Sequence, residues 1–159
     1  MRNRQKGFSL IELLIVVAII LIIAAIAIPN LLRSKMAANE SSAVGSLRTI
    51  NTSSVEYSTT YGGFPQTLLS LGGPAGGTAA STSAELIDAV LASGTKSGYS
   101  FTYTTGATDA NGNVLAYTLT AVPSSPGVTG QRTFFTDQSG VIRADATGAT
   151  ASVNSTPIS

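Results

Sequence analysis

At 159 residues the chain has room for one modest domain beyond its first helix. Without cysteine it has no disulfide or thiol chemistry, and without histidine it lacks the usual general base and metal ligand. Nine cations and eight anions leave a scattered net charge of +1, which excludes a nucleic-acid binder built on a basic surface.

The chain opens with three cations, Arg2, Arg4 and Lys6, ahead of Gly7-Phe8-Ser9-Leu10-Ile11-Glu12. Sixteen uncharged apolar residues follow, 13–28. Residues 8–28 span about 31 Å as a helix at ~1.5 Å per residue, enough to cross a hydrocarbon core of ~30 Å. Cations ahead of such a run favour an amino terminus on the cytoplasmic side, although Arg33 and Lys35 beyond it weaken the bias. One carboxylate, Glu12, interrupts the apolar stretch. A charge there is costly, so it reads as a functional group that needs a partner. An ordinary secretory signal with Ala25-Ile26-Ala27 as its cleavage site fits less well: the run exceeds the usual ~7–15 residues and carries Glu12 near its start. A plain anchor gains nothing from Glu12.

Past Asn30 the apolar pattern becomes one-sided. Leu32, Met36, Ala43, Leu47, Ile50, Tyr57 and Tyr61 follow the sums of three and four that make a helical stripe. The pattern predicts one helix over 8–61, about 80 Å long, broken or kinked at Pro29. Gly62-Gly63-Phe64-Pro65 ends it. A short helix is expected over 65–71, then a Gly/Ala/Ser/Thr loop over 72–83. Thr82-x-x-Glu85 reads as a capping box for a second short helix over 83–93, closed by Gly94.

From Tyr99 the period is two. Tyr99, Phe101 and Tyr103 alternate with Ser100, Thr102 and Thr104, and Leu115, Tyr117, Leu119 and Ala121 repeat the pattern. Segments 133–136 and 141–143 form a last hairpin around Asp137-Gln138-Ser139-Gly140. The expected fold is α+β: a long amino-terminal helix packed on an antiparallel sheet of about four strands. The expected division is a leader at 1–7, an apolar helix at 8–30, an amphipathic continuation at 31–61 and a globular domain at 62–159. That domain holds a connecting loop at 62–98, a meander at 99–146 and a flexible tail at 147–159.

The run GFSLIELLIVVAIILIIAAIAIPN resembles the class III leader and first helix of type IV pilins and type II secretion pseudopilins. The resemblance is strong over 1–61 and loose beyond. It implies cleavage between Gly7 and Phe8 by a prepilin peptidase, methylation of the new Phe8 amino group, and Glu12 as the acidic residue that guides subunit docking. Pro29 matches the family's mid-helix proline. The disulfide that many pilins carry is impossible here. As partners the resemblance implies other copies of the same chain in a helical homopolymer, the peptidase and methyltransferase, an inner-membrane assembly platform with its ATPase, and membrane lipid before assembly. It implies an inner-membrane precursor and an extracellular filament. The small-residue loop and tail suit a major pilin, with pseudopilin as the alternative.

Other motifs read more simply. Asp109-x-Asn111-x-Asn113 resembles the opening of a calcium loop, but Thr120 stands where glutamate is needed, so a hairpin turn is the better reading and no metal is expected. No cofactor is expected either. Asn39, Asn51 and Asn154 begin glycosylation triplets short enough to arise by chance. Tyr57 and Tyr61 at i,i+4 read as core packing. An enzyme tethered by the helix is a third reading with little support: no catalytic residue is identified, and Asp109, Asp137 and Asp145 fall at turns.

Overall fold

The computed structural model describes residues 8–73 and 78–158. The chain divides into two units, Met1–Lys35 and Met36–Ser159. Helix α1, Leu10–Tyr61, contributes to both. Pro29, where the helix is expected to break or kink, lies inside α1, which runs through it without a break. A proline removes one ladder donor, and the apolar segments on either side keep their own hydrogen bonds.

Within the first unit the side chains of Leu10, Ile15, Ile20 and Ile26 are all exposed, as the all-round apolar pattern requires when nothing covers it. Within the second unit α1 buries Ala43, Ser46, Leu47, Ile50, Ser53, Ser54 and Tyr57. Four of these belong to the expected stripe. The three serines do not; their small side chains cost little to bury, and Ser53 Oγ donates to Leu86 O at 3.2 Å. Asn51 joins helix to sheet by donating to Thr136 Oγ1 at 2.9 Å and accepting from the Tyr117 hydroxyl at 3.0 Å. The amide nitrogen that a glycan would need is therefore engaged in packing.

Two short helices follow. α2, Leu68–Leu71, is capped by Thr67, and α3, Ala89–Ala92, by Asp88, whose carboxylate accepts from Leu91 N at 2.9 Å and pairs with Lys96 at 2.8 Å. The expected capping box at Thr82 and Glu85 does not form. Glu85 sits at φ +56°, outside the helical region. The amides of Ala84, Glu85, Leu86 and Ile87 instead bond the carbonyls of Ser70, Gly72 and Leu71. The free carbonyls at the end of α2 take the donors that a longer helix would have used.

The sheet is an antiparallel meander in sequence order with six strands rather than four. They are β1 (Thr95–Lys96), β2 (Tyr99–Thr105), β3 (Tyr117–Pro123), β4 (Thr133–Asp137), β5 (Arg143–Asp145) and β6 (Thr156–Pro157). In β2 against β3, Phe101 pairs with Ala121 and Tyr103 with Leu119, all on the apolar set that covers the helix. β1 and β6 have two residues each, too few to show a period. β6 pairs Thr156 and Pro157, within the expected tail, with Ala144 and Arg143 of β5. Ala151 is buried and its amide donates to Thr133 Oγ1 at 2.9 Å, while Arg143 Nη1 donates to Ser155 O at 3.1 Å. The turn at 109–113 is closed by Asp109: one carboxylate oxygen accepts from the amides of Asn111 and Asn113, the other from the Asn113 side chain.

Glu40 ties α1 to the loop before β4. Burial alone would raise its carboxyl pKa, but the amides of Gln131 and Arg132 and the Arg132 guanidinium outweigh that and hold it below the ordinary range. The tyrosines shift the other way. Burial pushes Tyr99 up to about 12 and also raises Tyr117 and Tyr103, the last carrying a buried hydroxyl without a partner among the described residues. The unfolded chain releases these protons near pH ~10 while the native state retains them. Stability should therefore be complete below about pH 10 and fall steeply as pH rises toward 12. Urea midpoints across that range check this, and a flat profile contradicts it.

Candidate subunit-docking site at the amino terminus

Phe8 is almost fully exposed, and the helix begins two residues later. Ser9 N donates to Glu12 Oε2 at 2.9 Å, and Leu13 N donates to Ser9 O at 3.3 Å. Ser9-x-x-Glu12 thus forms the carboxylate half of a capping box, with Ser9 in the cap position and Glu12 at the third helical residue. The sequence reading missed this role of Ser9, although the S-x-x-E spacing carries the signal. The arrangement satisfies one donor of the first turn and sets an anion against the positive end of the helix dipole.

One hydrogen bond leaves the carboxylate with spare capacity. Among the described residues Glu12 Oε1 accepts from nothing, and no cation pairs with it. From Leu10 to Pro29 Glu12 is the sole ionisable side chain, in a helix whose apolar window has a mean hydropathy of 3.3. The described residues thus bring Phe8 and Glu12 to within one helical turn. Gly7 lies outside the described residues, and Pro29 sits five turns away along the same helix. No group of three metal-ligating side chains occurs among the described residues.

Residues 2–28 match the family model of the prokaryotic N-terminal methylation motif. Over 40 residues the chain is 65% identical to the type IV wide pilus major component PilA4 of Thermus thermophilus, covering 25% of this chain and 30% of that protein. Over 49 residues it is 51% identical to the type IV major pilin protein PilA of Myxococcus xanthus, covering 31% of this chain and 22% of that protein. The matches thus span less than a third of either relative. No solved structure matches the chain. By its amino-terminal methylation motif and the helix that continues from it, the chain resembles the type IV pilins.

Proposed function

We propose that the chain is the major structural subunit of a type IV pilus. It enters the inner membrane with residues 1–7 as a cytoplasmic leader. It is cut between Gly7 and Phe8, methylated on Phe8, and polymerised through residues 8–30. Residues 31–61 then continue the helix into the globular domain at 62–159. The observation that carries this reading is one carboxylate, a turn from the cleavage point, in an otherwise apolar helix.

The energetics supply the logic. Fifteen large apolar side chains between Phe8 and Ile28 are exposed. At ~1.5–3 kcal/mol each, keeping them from water is worth tens of kcal/mol as an upper bound. Such a subunit stays in lipid until another apolar surface replaces the lipid. A second copy of the same helix offers that surface, and an identical head-to-tail contact that does not close propagates as a fibre. Extraction from the bilayer then requires an energy-driven machine, in keeping with the assembly platform and ATPase that the resemblance implies.

Pseudopilin is the second reading. The names of both relatives, major components of pili, favour the first. Electron microscopy of sheared cell surfaces with immunogold against the chain separates them. The pilus reading expects long labelled filaments that vanish on gene deletion. Bare cells with a secretion defect on deletion would favour the pseudopilin.

A further inference from the structure

A cavity of about 390 Å³ lies in the second unit, remote in sequence from Phe8 and Glu12. Its walls come from the last turn of α1, the loop after it, residues 81 and 82, and the turn at 112–114. Its composition is selective. Among the described residues no charged side chain lines it, so none of them offers a counter-charge to a phosphate, a carboxylate or a cation. Two aromatic rings, Tyr61 and Phe64, form part of the wall and remain half-exposed. Each is braced by another ring: Tyr61 by Tyr57 at 4.6 Å between centroids, and Phe64 edge-on by Tyr117 at 4.9 Å.

Beside these rings stand polar groups with open capacity. The Tyr61 hydroxyl, the Gln66 amide and the Thr82 hydroxyl make no hydrogen bond among the described residues. The floor is fixed before any ligand arrives. Phe64 N donates to Val114 O at 2.8 Å, and a Cβ at Gly63 would come within 3.0 Å of Val114 N. This site is therefore shaped for a neutral molecule with an apolar face and a rim of hydroxyls. The volume falls at the lower end of the ~300–1,000 Å³ typical of small-ligand sites, room for one or two six-membered rings.

We propose that this cavity binds the end of a neutral saccharide, a pyranose whose C–H face rests on Tyr61 and Phe64 while its hydroxyls bond Gln66 and Thr82. The ring faces supply contact area at low entropic cost, and the polar groups set orientation. The cavity lies outside residues 8–30, through which the chain is proposed to polymerise.

The test uses the full-length protein in lauryldimethylamine oxide, a detergent without a sugar headgroup. The probes are methyl glucoside, methyl galactoside, methyl mannoside, N-acetylglucosamine, maltose and lactose. Tyrosine emission reads binding, since the chain contains no tryptophan. Saturation-transfer NMR reads which sugar protons touch the protein. At least one probe should bind saturably, and Tyr61→Ala should weaken it about tenfold or more. Gln66→Ala removes an exposed side chain that makes no hydrogen bond among the described residues, so it reports on the site even where Tyr61→Ala disturbs the fold. It too should weaken binding, whereas Thr104→Ala on the exposed face of β2 should leave it unchanged. Absence of saturable binding up to about 50 mM with every probe overturns the proposal. Binding undiminished in Gln66→Ala and in a folded Tyr61→Ala overturns it as well.

Discussion

A chromosomal Glu12→Ala substitution is expected to reduce surface filaments about tenfold or more, while the precursor still inserts and is still processed. Lost pairing of a charge in a low-dielectric site typically costs several kcal/mol, and ~1.4 kcal/mol already changes an equilibrium tenfold. Among the described residues the carboxylate accepts only from the Ser9 amide. Its remaining capacity suits an ammonium, and cleavage would create one at Phe8, on a neighbouring subunit or on the same chain. Methylation keeps that charge. Pairing one group from each chain would fix axial register as well as lower the energy of the assembled state.

Glu12→Gln separates the two roles of the side chain. Glutamine can still accept from Ser9 N but carries no charge, so it should preserve the helix start and still assemble poorly. Co-expressed wild-type chain should restore assembly in part, because each contact uses one group from each side. Shearing followed by immunoblot gives the yield. Normal filaments from the Glu12→Ala strain would show that the carboxylate is merely solvated near the headgroups and would remove its docking role.

Removing everything before Ala37 should produce the second large effect: a soluble, folded, monomeric fragment, freed of the exposed apolar run at 8–28. The unit Met36–Ser159 contains the buried cluster from Ala43 on α1 to Ile142 beside the sheet. Its exposed large apolar residues, such as Val55, Leu69, Val90 and Leu115, are separated in sequence, whereas those of 8–32 are nearly continuous. The amphipathic half of α1 covers its own sheet, and the apolar half does not. Size-exclusion chromatography and circular dichroism check this. An aggregated or unfolded fragment would place the division of the helix elsewhere.

Much of this fold was legible where a period could accumulate. The stripe through Ala43, Leu47, Ile50 and Tyr57, and the alternation through Tyr99, Phe101 and Tyr103, extend over enough residues to identify helix and strand. Reading failed where tertiary contact decides. Ser46 and Ser54 are polar by type yet buried, which residue type alone does not announce. Thr82 and Glu85 carry a helix-start signal that the unsatisfied carbonyls of α2 override. The last hairpin strand, expected over 141–143, begins only at Arg143, since nothing local fixes the register of so short a segment.

The site divides in the same way. Glu12 stands out because a charge in an apolar run is visible without any structure, and Ser9 could have been found from its spacing to Glu12. The cavity beside Tyr61 could not, since four separated segments build it and none has a motif of its own.

Processing of the amino terminus is the central claim, and the mass of filament protein tests it most directly. Intact-mass and amino-terminal analysis of material sheared from cells should show a chain beginning at Phe8, without residues 1–7 and with one methyl group on its terminal nitrogen. A chain beginning at Ile28, the product of ordinary signal peptidase after Ala27, would contradict the pilin reading.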